Sequence, residues 1–188
     1  EAKILIVQEK LSSCSREAAE ELGIKIIEMR LKGLPGDITL TFENHIIDMR
    51  STTYNESDNT SLVLHTSGTT SRPKIVPLTA DNISVSARNI SRTLRLTSED
   101  CYLNIMPLFH IHGLIAGVLT TLESGGEMFC SSGFDALKFF NLLHQVQPTW
   151  FSAVPTMHQA ILNRAVRNMA IVNKNKLKFI RSSSASLP

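Results

Sequence analysis

Leu62-Val63-Leu64-His65-Thr66-Ser67-Gly68-Thr69-Thr70-Ser71-Arg72-Pro73-Lys74-Ile75-Val76-Pro77-Leu78 is an apolar run, a polar loop and a second apolar run. The apolar runs are short and rich in β-branched residues, so both read as strands. Pro77 suits an edge or a bulge, since it cannot donate to a ladder. Downstream, Thr79 caps a helix reaching about residue 94, with Ile83, Ala87, Ile90 and Leu94 at helical spacing. Strands over 101–106, 127–130, 149–154 and 178–181 then alternate with helices over 113–122 and 135–146 and one beginning at Pro155. That alternation predicts an α/β fold, a mostly parallel sheet flanked by helices, with ligands at the carboxyl ends of its strands.

Upstream, Lys3-Ile4-Leu5-Ile6-Val7 reads as a strand. A helix over 15–22 follows, capped by Ser13 or Ser15 and stopped at Gly23, and then a strand over 24–29. Together these form one βαβ unit. A short strand is expected over 38–42, and 52–60 reads as a polar surface connection. Residues 1–60 are thus the βαβ portion, and 61–188 the portion carrying the polar loop.

The composition narrows the function. A chain of 188 residues that is 43% hydrophobic can bury a core. No apolar run reaches the ~18–20 residues of a membrane helix. Nineteen basic against seventeen acidic residues argue against a nucleic-acid binder. The series Arg164, Arg167, Lys174, Lys176, Lys178 and Arg181 reads as a solvated face. Cys14, Cys101 and Cys130 are too few and too scattered for a disulfide framework or a zinc site, so a reducing, cytoplasmic setting is expected. The pair His110 and His112 lacks a third ligand at convincing spacing, so no metal site is assigned.

The loop is an anion nest in outline. Gly68 lets the backbone turn and approach a ligand. Thr66, Ser67, Thr69 and Thr70 offer hydroxyls, and Lys74 a point charge suited to phosphate. A solvated turn has a similar composition; the order of residues is what is specific. It is not a Walker loop, lacking the second glycine and the following helix, and no Gly-x-Ser-x-Gly hydrolase elbow is present.

Thr66-Ser67-Gly68-Thr69-Thr70-Ser71-Arg72-Pro73-Lys74 closely resembles the phosphate loop of the adenylate-forming enzymes, with serine at 71 where glycine is usual. Val76-Pro77-Leu78-Thr79 adds a likeness to the oxalyl-CoA synthetase branch. Three further segments agree in order: 107–114 with Pro107-Leu108-Phe109-His110-Ile111-His112-Gly113, 153–159 with Ala153-Val154-Pro155-Thr156, and 179–187 with Ser182-Ser183-Ser184-Ala185-Ser186. The resemblance implies part of an N-terminal adenylation domain of an ATP-dependent acid–CoA ligase, using ATP, Mg2+ and coenzyme A with a small carboxylic acid as partners. It implies that Thr66, Ser67, Gly68, Thr69, Thr70 and Lys74 hold the phosphates. It makes Lys74 and His110 the catalytic candidates. Val154, Pro155, Ser183, Ser184, Ala185 and Ser186 would wall the adenine and acyl pocket. The serines and His110 fit oxalate better than a fatty acid, whose methylenes would want an apolar lining.

Aryl- or fatty-acyl-CoA ligases, amino-acid adenylation domains and a non-catalytic nucleotide-binding module remain the alternatives. The resemblance also implies a glutamate loop, a ribose-binding aspartate and a mobile C-terminal domain with a catalytic lysine. None of these is found in the chain, which is expected to be a piece of a longer protein, inactive alone. A eukaryotic parent would allow a peroxisomal setting.

Overall fold

The structure, a computed structural model, describes residues 2–11, 13–33, 37–47, 60–66 and 74–187. Its contacts divide the chain into two compact units, 1–57 and 58–188.

In the first unit, β1 (Ile4–Gln8) pairs in parallel with β2 (Lys25–Leu31) across helix α1 (Cys14–Glu21). The Ser13 side chain accepts from the Arg16 N–H, which settles the choice between the two serines as cap. β3 (Ile38–Phe42) and β4 (His45–Ile46) extend the sheet antiparallel in the order β1-β2-β3-β4. β4 was not foreseen; a two-residue strand carries too little periodicity to read.

In the second unit, β5 (Thr60–Thr66) and β6 (Lys74–Thr79) form an antiparallel hairpin outside the main sheet. Pro77 lies opposite Val63, and in a two-stranded ribbon both strands are edges. Helix α2 (Ala80–Leu94) begins in a capping box between Thr79 and Asn82 and ends with Arg95 in the left-handed region. The inward positions are those the spacing predicts, with Ala87 buried and Ile83, Ile90 and Leu94 half-buried.

The main sheet is fully parallel, in the order β10-β9-β7-β8, from β7 (Cys101–Asn104), β8 (Glu127–Cys130), β9 (Trp150–Ala153) and β10 (Phe179–Ser182). β8 lies to one side of β7, and the chain then crosses back to place β9 and β10 on the other. The strand order therefore reverses between β7 and β9, which opens a crevice at their carboxyl ends.

One face of this sheet packs Leu103, Ile105, Phe151 and Ala153 against Phe139, Phe140 and Leu143 of α5 (Phe139–Val146). Phe139 meets Phe140 and Phe151 edge-on, at 5.3 and 5.1 Å between centroids. α6 (Pro155–Ala165) and α7 (Met169–Lys174) add side chains to that layer. α5 starts four residues later than the sequence suggests, because the Asp135 carboxylate accepts from the Leu137 and Lys138 N–H groups and forms a separate turn.

The opposite face carries Tyr102 and Trp150, stacked at 4.1 Å. A helical run covers it, made of α3 (Ile111–Gly113), a π segment (Leu114–Leu119) and α4 (Thr120–Glu123). Gly113 is required here, since a Cβ would lie 2.5 Å from the Pro107 carbonyl oxygen.

At the amino edge of the sheet, Lys178 reaches the buried Asp100 at 3.0 Å. Burial favours protonation of Asp100. Donation from the Thr97 N–H, Lys178 and Thr149 outweighs it and holds the carboxyl below the usual range. The basic series is therefore not one solvated face: Lys178 braces the sheet and Arg181 is half-buried on its edge strand β10. We expect Lys178→Met to cost about 2 kcal/mol, read as a shift of the denaturation midpoint of the full-length protein. A change within about 0.5 kcal/mol would mean that solvent replaces the ammonium.

Among the described residues, no helix is long and apolar enough to cross a membrane, and no cluster of three or more His, Cys, Asp or Glu could hold a metal ion. The three cysteines are free.

Candidate functional site

The crevice at the strand reversal is organised by two polar residues in otherwise apolar strands. In β7, the buried Asn104 accepts from the Tyr102 hydroxyl and the Met106 N–H, both at 3.1 Å, and donates to the Met106 carbonyl. These bonds close the turn that sends 105–110 over the carboxyl edge. In β9, Ser152 is fully buried between Phe151 and Ala153. Such a hydroxyl needs partners, and it finds them in His112 and Arg181.

His112 Nε2 lies 2.6 Å from Ser152 Oγ, and its Nδ1 lies 3.2 Å from Ser184 Oγ. Arg181 Nη1 donates to Ser152 Oγ at 3.2 Å, and Ser152 Oγ donates to the Arg181 carbonyl at 3.3 Å. One proton arrangement satisfies all of these. His112 carries its proton on Nε2 and donates to Ser152; Ser184 donates to the bare Nδ1. Ser152 then accepts twice and donates once. His112 is 6% exposed. Burial first, then the charge of Arg181 and the nearness of His158 and His110, push its pKa down to about 4. The imidazole is thus neutral across the physiological range.

These groups line a cavity of about 360 Å³, with Ile90, Ile115 and Ala116 as its apolar wall and His112, Arg181 and Ser184 as polar counterparts. A larger cavity of about 480 Å³ lies on the other side of the sheet, against Phe139, Leu143, Phe151, Ile161 and Val172. The surface of both cavities is mainly apolar. His112, Arg181, Ser183 and Ser184 converge on the smaller cavity beside the carboxyl end of β10, which makes it the better ligand site.

The residues singled out in the sequence fall around it unevenly. Ser183 and Ser184 line the cavity, with Ser184 at φ 76° to aim its hydroxyl at His112. Ala185 and Ser186 are exposed just beyond. Val154 and the buried Pro155 open α6 at the same edge. His110 is exposed at the N-terminus of α3, its ring 4.6 Å from that of Phe109, and it does not line the cavity. His158, on α6, bonds the Arg181 carbonyl at 3.1 Å. Lys74 is exposed at the first position of β6. Thr66 ends β5. Ser67, Gly68, Thr69 and Thr70 lie outside the described residues.

Sequence reasoning missed Ser152 and Arg181, and it weighed His112 only as a metal ligand. The available signal was a lone hydroxyl inside Trp150-Phe151-Ser152-Ala153, a strand buried on both faces.

Comparison with known proteins agrees with this architecture. The family model of the AMP-binding enzymes matches residues 1–188. An oxalate–CoA ligase of Arabidopsis thaliana is 38% identical, over all of this chain and 37% of its own length. A probable CoA ligase of Humulus lupulus is 40% identical, over all of this chain and 36% of its own length. Among solved structures, a malonyl-CoA ligase in a ternary product complex with methylmalonyl-CoA and AMP superimposes with a TM-score of 0.75. It covers 99% of this chain and 37% of that one at 21% identity, a likeness of fold. The chain spans just over a third of the length of these relatives. With its whole length matched, the chain belongs to the AMP-binding enzyme family.

Proposed function

We propose that the protein containing this chain is an ATP-dependent carboxylic acid–CoA ligase acting on a small acid such as oxalate. The observation that carries the reading is the convergence of His112, Arg181 and Ser184 on one small cavity beside the carboxyl end of β10. The likeness to an oxalate–CoA ligase supports it. In the first half-reaction an acid oxygen bonds to the α-phosphorus of ATP, the bridging P–O bond breaks, and pyrophosphate leaves with the electron pair. In the second, the coenzyme A thiol gives up its proton, forms the C–S bond and releases AMP.

This chain's share is positioning and charge stabilisation. Thr66, Ser67, Gly68, Thr69 and Thr70 would hold the β- and γ-phosphates, and Lys74 would offset their charge. His110 would stand at the entrance to the acyl site. Val154 and Pro155, with Ser183, Ser184, Ala185 and Ser186, would border the acid and the adenine. Mg2+ would offset phosphate charge when bound; the described residues offer no carboxylate cluster to hold it, so no ligand to it is assigned here.

The test is pyrophosphate exchange by the full-length protein with oxalate, malonate, acetate, benzoate and amino acids. Exchange driven by oxalate, with AMP release on adding coenzyme A, is the expected result. Exchange driven by amino acids alone, or by no acid, would overturn the reading.

A further inference from the structure

Among the described residues Arg181 is the one cation in the cavity lining, and nothing there offsets its charge. The side chain is half-buried on the sheet face that carries Ser152. One of its five N–H donors goes to Ser152 Oγ, a neutral acceptor. None of the ion pairs among the described residues involves it. The other polar groups of the lining carry no negative charge. Ser184 is committed to His112 Nδ1, and His112 Nε2 to Ser152. A guanidinium keeps its charge under such burial. A buried charge is costly unless an anion meets it.

We infer that Arg181 selects the substrate, by holding a second carboxylate on the acid being activated. The inference rests on the ligase reading above. Activation removes the charge of the carboxylate that reacts, because that group becomes a mixed anhydride. A simple fatty or aryl acid then has no carboxylate left to meet the guanidinium, and the charge that remains is on the adenylate phosphate. A small dicarboxylate keeps one full charge through both half-reactions. The planar fork of Arg181 matches a carboxylate in shape and donor spacing. With His112 beside it neutral, the arginine is the sole positive group of the lining among the described residues. With Ile90, Ile115 and Ala116 closing the opposite side, the cavity of about 360 Å³ favours a short acid over a long one.

The experiment uses the full-length protein as wild type, Arg181→Met and Arg181→Lys. Oxalate is compared with oxamate, which has nearly the same shape and one charge fewer. Arg181→Met is expected to lower kcat/KM for oxalate about 100-fold, mainly through KM for the acid, with KM for ATP unchanged. The preference for oxalate over oxamate should fall by a similar factor, and Arg181→Lys should restore part of it. If Arg181 merely braced Ser152, Arg181→Met would reduce both acids and ATP use in proportion; that result overturns the inference. So does a wild type that prefers monocarboxylates, although the ligase reading would then stand. A wild type with no acid-dependent exchange overturns both.

Discussion

Gly117→Val should destabilise the protein by about 3 kcal/mol or more. Gly117 lies in the π segment of the helix that covers the Tyr102–Trp150 face. A Cβ at that position would stand 2.5 Å from Tyr102 Oη, 2.7 Å from Cε1 and 2.8 Å from Cζ. Tyr102 cannot give way. Its ring is stacked on Trp150, its hydroxyl donates to Asn104, and its accessible surface is nil. Moving the helix outward instead would pull His112 away from Ser152 five residues upstream.

Chemical denaturation of the full-length protein measures the cost. The mechanism has its own check. Tyr102→Phe removes the nearest clashing atom, so Gly117→Ala in the Tyr102→Phe background should cost less than in wild type, the non-additivity expected of groups in contact. Additive effects would place the damage elsewhere in the helix.

The π segment also shows where sequence reading stops. α2 is legible because its signals agree: a capping box at Thr79 and four apolar side chains on one stripe. The helix over 111–123 is apolar nearly all round, so its periodicity cannot reveal one extra residue in a turn. What reveals it is Tyr102, on another element, pressing against Gly117.

The same limit governs the site. His110 precedes α3 with extended backbone, whereas His112 lies within the helix, so the two side chains are set by different local geometry. Strand-end logic selects the first, and the fold buries the second. Which faces inward depends on the start of α3, set by the turn that Asn104 closes. The family motif marked the right segment, whereas the partners Ser152 and Arg181 come from two other strands.

His112 leads to the second large effect, a loss of stability in mild acid. Its folded pKa is about 4 against 6.5 when unfolded. Between those values the unfolded chain binds the extra proton and the native state does not. Stability therefore rises with pH through that window: it is complete above about pH 6.5 and is lost as the pH falls toward 4. The full amount, reached below pH 4, is about 3 kcal/mol. Protonation would put a hydrogen on Nδ1, where Ser184 now donates, and a second positive charge beside Arg181. His112→Gln can keep one hydrogen bond and cannot titrate. It should lower stability at pH 7 and flatten the slope between pH 6.5 and 4, as read from urea midpoints across that range. Asp100 does not mimic this signature, because its carboxyl is held below the usual carboxylate range and its loss falls at lower pH. His110→Gln serves as the control, since that side chain is exposed and makes no cap bond. If the acid slope survives His112→Gln and vanishes with His110→Gln, the outer histidine is the titrating group, and the neutral, serine-bridged imidazole of the cavity is wrong.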